Sequence, residues 1–133
     1  MDFHGIMNEN EISFYIRKSI FEIYNELGPG LLEKVYEKTL AYDLKCKGLE
    51  VKTQVPIPIR FKELTLDSSF IADIIVENKV IIEIKSIEEI SNVHHKQLLT
   101  YLKLTHLKLG ILVNFNTEYI DKNIYRKING YIK

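Results

Sequence analysis

Three ionisable side chains sit inside two runs of apolar residues. Asp73 lies within Phe70-Ile71-Ala72-Asp73-Ile74-Ile75-Val76, and Glu83 and Lys85 lie within Val80-Ile81-Ile82-Glu83-Ile84-Lys85. Val80, Ile81, Ile82 and Ile84 are β-branched residues on both faces of one short run, the pattern of a strand covered on both sides. A carboxylate in such a strand is costly to bury unless it meets a cation, a metal or strong donors. The two acids are therefore expected to share an environment that rewards negative charge.

Strand geometry says whether they meet. Side chains alternate with a period of two, which puts Glu83 and Lys85 on one face. Glu77-Asn78-Lys79 is the turn between the runs. A two-residue loop would set Asp73 opposite Ile82, whereas a three-residue loop, 77 to 79, pairs Val76 with Val80 and Asp73 with Glu83. Asn78 readily takes the left-handed conformation that three-residue loops often need. The longer loop is expected, and it places two carboxylates side by side with a lysine one step beyond. That is a site for a hard divalent cation such as Mg²⁺, with an amine to orient water or steady developing charge. Glu-x-Lys alone carries little information, since it also occurs at Glu50-Val51-Lys52 and Glu77-Asn78-Lys79. Only Glu83-Ile84-Lys85 lies inside an apolar run with an acid ten residues upstream.

This arrangement resembles the PD-(D/E)XK nuclease superfamily, with Ala72-Asp73 and Glu83-Ile84-Lys85 as its signature and alanine in place of the proline. Two further motifs carry a narrower resemblance. Gly30-Leu31-Leu32-Glu33-Lys34-Val35-Tyr36 spells the Gly-x-x-Glu-x-x-Tyr that names the GxxExxY family, and Gln97-Leu98-Leu99-Thr100-Tyr101 matches the Gln-x-x-x-Tyr of RecB-like nucleases. The resemblance spans about Gly28 to Phe115. It implies a metal site of Asp73, Glu83, the Ile84 carbonyl and Glu33. It also implies Lys85 as the residue that positions water, and Gln97, Tyr101 and His94 toward the substrate. Taken singly, Glu33 reads as a boundary glutamate reaching solvent, His94 as a surface or cap histidine and Tyr101 as a packed aromatic with a wet hydroxyl.

The elements that must position these residues are legible in the periodicity. Ile12, Ile16, Ile20, Ile23, Tyr24 and Leu27 mark an amphipathic helix over 11–27, ended by Gly28-Pro29-Gly30. A second helix is expected over 31–47, with Leu32, Val35, Tyr36, Thr39 and Leu40 inward and Gly48 near its end. Val51 to Phe61 alternates with polar residues as a strand with one wet face. Pro56 and Pro58 put that strand at a sheet edge or make it irregular. Ser91 caps a third helix over 92–106, and Leu109 to Phe115 is a buried strand expected to run parallel to the Glu83 strand. Ile124 to Ile128 is the last candidate strand. The order is that of an α/β restriction-endonuclease-like core, α-β-β-β-α-β with a mixed central sheet, preceded by an extra N-terminal helix.

Composition bounds the function. The 133 residues include 46% hydrophobic ones, enough for the core of one domain spanning 1–133. Lys plus Arg equals Asp plus Glu at 18 each, so no global basic surplus draws in nucleic acid, and a local patch has to do that work. Lys34, Lys38, Lys45, Lys47 and Lys52 are the candidates around the second helix. Cys46 is the only cysteine, which excludes disulfide scaffolds and cysteine zinc sites. Met1-Asp2-Phe3-His4 lacks the start of a signal peptide and no apolar run approaches membrane-spanning length, so the expected location is cytoplasmic. The expected activity is a nuclease using Mg²⁺ or Mn²⁺ on nucleic acid, with DNA the expected substrate. The other class of function is a catalytically silent module on a nuclease scaffold, binding nucleic acid or protein.

Overall fold

The computed structural model describes residues 7–132, and the side chains of all of these except 68 and 69. The opening residues Met1 to His4 lie outside the described residues. The chain runs α1 (Glu9–Leu27), α2 (Glu33–Cys46), β1 (Val51–Phe61), β2 (Leu64–Val76), β3 (Val80–Lys85), α3 (Asn92–Thr105), β4 (Leu109–Asn114), a single 3₁₀ turn (Ile120–Lys122) and β5 (Ile124–Ile128). The expected α-β-β-β-α-β order is therefore present, with α1 ahead of it and β5 behind. The five strands lie in the order β1-β2-β3-β4-β5. β3 and β4 are parallel and the other neighbours antiparallel, which makes the sheet mixed.

The two central strands are the most deeply covered. β4 is buried throughout, and β3 is buried up to Lys85. On one face α1 and α2 pack Ile12, Ile16, Ile20, Tyr36, Leu40 and Leu44 against Ile74, Val80, Ile82, Ile111 and Val113. On the other, α3 packs Leu98, Tyr101 and Leu102 against Ile75, Ile81 and Leu112. Gly110 lets α3 come close, because a Cβ there would stand 2.8 Å from a Leu98 methyl. No helix among the described residues is long and apolar enough to cross a membrane.

The first helix begins two residues earlier than its periodicity suggests. Asn8 and Glu11 form a capping box, the Asn8 side chain accepting from Glu11 N at 2.9 Å and the Glu11 carboxylate from Asn8 N at 3.3 Å. The second helix differs more. It starts at Glu33 with Leu32 as its N-cap, and Leu32 and Val35 are exposed rather than inward. Its buried stripe is Tyr36, Leu40, Ala41 and Leu44. Tyr36 sets that stripe by stacking flat on Phe115, ring centroids 4.1 Å apart.

β1 is the edge strand, as its prolines require. Its wet-face alternation does not survive, because the β1–β2 hairpin rolls over midway. Val51 and Ile74 pack on the α1/α2 side, yet Val55, Ile57, Phe70 and Ala72, at matching parity, pack on the α3 side. The change of face falls between them, where Gln54 is held at φ +51° across from Asp73.

Candidate active site

The turn between β2 and β3 takes the longer form. Val76 pairs with Val80, Ile75 with Ile81 and Ile74 with Ile82. Asn78 is left-handed at φ +53°, and so is Glu77. A glutamate is a poor residue for that conformation. Glu77 is held there because its carboxylate accepts from Glu50 N and its own N–H donates to Glu50 O at 2.8 Å. This register leaves Asp73 and Glu83 as the next opposed pair.

At that point the backbone ladder between β2 and β3 gives way to side chains. Asp73 N donates to Glu83 Oε2 at 2.8 Å, and Ile84 N donates to Asp73 Oδ2 at 2.8 Å. The two carboxyls occupy the fork where the strands part, each using one oxygen to satisfy a main-chain donor. They are also hydrogen-bonded to each other. Glu83 is 6% exposed, and burial, reinforced by the Asp73 charge, pushes its pKa up to about 8. Burial also raises Asp73, opposed by the Ile84 N–H and by the Lys85 charge. Burial and like charge therefore favour a pair that keeps one proton between its two carboxyls. Lys85 is close enough to favour the ionised form of both acids.

α3 brings Tyr101 to the same place. Its ring packs edge-on to Phe70 at 5.6 Å, and Gln97, one turn earlier on α3, acts on its hydroxyl. Burial and the charges of Glu83 and Asp73 push its pKa up to about 12, so the hydroxyl keeps its proton as a donor. Gln97, Tyr101, Asp73, Glu83 and Lys85 are thus brought together. His94 has a different employment: its Nδ1 accepts from Ser91 N at 3.0 Å and completes the capping box of α3.

Glu33 reaches the rim rather than the fork. It is exposed, but its carboxylate accepts from Ser86 N at 3.1 Å, one residue past Lys85, and its charge bears on Asp73. The other two residues of the Gly-x-x-Glu-x-x-Tyr motif are structural. Gly30 takes φ +95°, and a Cβ there would touch nothing, so the turn needs its conformation rather than its small size. The Tyr36 hydroxyl donates to Gly28 O at 2.5 Å and accepts from Leu31 N at 3.2 Å, and Ser86 Oγ donates to Leu31 O at 2.6 Å. The motif folds the 28–32 loop against the end of β3. An open cleft of about 600 Å³ follows, lined by Gly30, Leu32, Glu33, Lys34, Ser86 and Asn116.

Four contributors are not singled out by the sequence reading. Glu37, one turn after Glu33, accepts from Gln54 Nε2 at 2.7 Å; burial raises its pKa, and the Asp73 charge adds to the effect. The i, i+4 spacing to Glu33 is the signal that marks it. Gln54 and Ser86 carry no such signal. Asn114, beside Lys85 in the β3–β4 register, clamps the following loop by accepting from Ile87 N at 3.1 Å and donating to Ile87 O at 2.9 Å. The basic patch is smaller than expected. Lys34, Lys38 and Lys45 line a cleft of about 370 Å³ with Glu37 and Gln54, but Lys47 is engaged by Asp43 at 2.6 Å and Lys52 by Asn78 at 3.0 Å.

A divalent cation fits this donor set in kind. Asp73 and Glu83 offer hard carboxylate oxygens, and each keeps one oxygen not used on a backbone N–H. Among the described residues no three His, Cys, Asp or Glu side chains are gathered as a metal cluster, so the acids form a pair with Glu33 outside it. No curated protein and no solved structure gives a significant match to the chain. The family model of the PD-(D/E)XK nuclease superfamily matches residues 10–127, from the first turn of α1 to the end of β5. A match of that length covers every element that builds the acidic fork, and the chain belongs to the PD-(D/E)XK nuclease superfamily.

Proposed function

We propose that this protein is a metal-dependent nuclease that hydrolyses phosphodiester bonds, with DNA as its substrate and Mg²⁺ or Mn²⁺ as its cofactor. Membership of a nuclease superfamily points to a nucleic-acid substrate, and such nucleases generally use divalent ions. The observation that carries the reading is the fork itself. Two carboxyls interlock with the backbone of opposed strands, with Lys85 beside them. A purely structural buried pair is better served by apolar residues of similar volume, whereas a site that must accept positive charge needs these acids.

Asp73, Glu83 and the Ile84 carbonyl are the proposed ligands, with Glu33 moving in from the rim as a fourth. A bound divalent ion would polarise the scissile phosphate and lower the pKa of a bound water. Glu83 would give up its proton to solvent on holding the ion. Lys85 holds the attacking water and steadies negative charge on the phosphate. Gln97 and Tyr101 hold the strand by donating to phosphate oxygens, and His94 contributes from the helix cap. We place the protein in the GxxExxY group of the superfamily, supported by Gly30, Glu33 and Tyr36 acting as one loop latch beside the fork.

The test is cleavage of single- and double-stranded DNA and RNA with Mg²⁺ or Mn²⁺. Lys85→Met and Glu83→Gln are each expected to lower the rate by about 10²-fold or more. A folded parent protein that cuts none of these substrates but still binds one would favour the silent binding module.

A further inference from the structure

The outer part of the β1–β2 hairpin is built differently from the part that carries Asp73. Ile57 pairs with Phe70, but Ile59 pairs with Leu66, so β2 has two residues more than β1 across this step. Pro58, within the shift, and Arg60, beyond it, join Lys103, Leu104 and His106 at the C-terminal end of α3. Together they line a groove of about 440 Å³. All three ionisable residues lining it are basic, and among the described residues no carboxylate is ion-paired with Arg60 or Lys103. Pro58 and Leu104 supply apolar walls between the cations. A chain with equal numbers of acids and bases has here gathered bases alone in a concave surface.

The groove lies within reach of a strand bound at the fork. Along β1, Gln54 stands across from Asp73 and Arg60 lies six residues beyond, at most about 20 Å away. A stacked nucleic-acid strand presents a phosphate about every 3.4 Å, so a strand lying from the fork to the groove would reach it within about six phosphates. We propose that the groove of Arg60, Lys103 and His106 binds the phosphate backbone of the nucleic-acid substrate away from the cleaved bond. This deepens the nuclease reading and rests on it. Substrates long enough to span the fork and the groove are held at both, and shorter ones only at the fork.

The test measures binding of a fluorescent 20-nucleotide single-stranded DNA without divalent ions, and cleavage of 20- and 4-nucleotide substrates with Mg²⁺. Arg60→Ala/Lys103→Ala should bind the long strand about 5- to 20-fold more weakly, with the salt dependence of log Kd shallower by about 1 to 2. It should cut the short substrate like the parent. Lys18→Ala/Lys122→Ala makes the same change of net charge elsewhere and should leave both unchanged. Arg60→Gln/Lys103→Gln repeats the test if the alanine pair melts early. Equal weakening by the groove and control pairs, or no weakening by the groove pair in a parent that cuts DNA, overturns the groove and leaves the nuclease standing. A parent that neither binds nor cuts overturns both.

Discussion

Glu83 is where the chemistry of the fork becomes measurable without any substrate. Its carboxyl has an ordinary value near 4.5 and is pushed up to about 8 by burial and the Asp73 charge. The folded protein then holds a proton that the unfolded chain has released, so stability is full below about pH 4.5 and falls as pH rises through about 8. Metal-free protein is expected to melt lower at pH 8.5 than at pH 5.5. Glu83→Gln removes the titration while keeping an acceptor for Asp73 N, so its melting temperature should match or exceed that of the parent at pH 8 and change less between those two pH values. A parent whose melting temperature rises over that interval would contradict the buried, shared proton. This residue was legible in the sequence because a charge inside a β-branched run has few solutions, and the three-residue loop then chose its partner. Glu37 was not, since an i, i+4 acid on a helix is ordinary until the fold sets it across from Gln54 and near Asp73.

At the scale of elements, the sequence carries the strands more plainly than their faces. The β2–β3 register and the parallel β3–β4 pairing follow from loop length and from the helix between the strands. The roll of the β1–β2 hairpin does not, because a glutamine held at φ +51° leaves no mark in composition. The exposure of Leu32 and Val35 is hidden in the sequence for a related reason. A helical stripe fixes spacing but not the angle at which the helix meets the sheet, and here the Tyr36–Phe115 stack decides that angle. Tyr36 also gives the element its sharpest test. Tyr36→Phe keeps the stack and deletes the hydroxyl that holds Gly28 O and Leu31 N. It should lower stability by about 1–2 kcal/mol in urea denaturation. It should also reduce cleavage, because the loosened loop is anchored to Ser86 beside Lys85. An unchanged denaturation midpoint would mean that the hydroxyl is not a latch.

The whole molecule joins these scales through the proposed cation site. Without a cation, the fork keeps one acid protonated and both buried or half-buried. A ligand that binds only the folded state stabilises it by RT ln(1 + [L]/Kd), about 2.7 kcal/mol at a hundredfold excess over Kd. For a chain of this length that corresponds to a melting temperature about 10 °C higher. Because a cation at the acidic pair would have to displace its proton, the shift should grow as pH rises from 6 toward 8. Lys85→Met removes a positive charge that competes with the cation, so it should keep the full shift while losing cleavage. Glu83→Gln should lose most of the shift as well as the cleavage. Thermal melts of the three proteins across a Mg²⁺ and Mn²⁺ titration at pH 6 and pH 8 separate these outcomes. A parent with no metal-dependent shift at either pH would leave the acidic pair as a structural interlock and remove the support for metal-dependent cleavage.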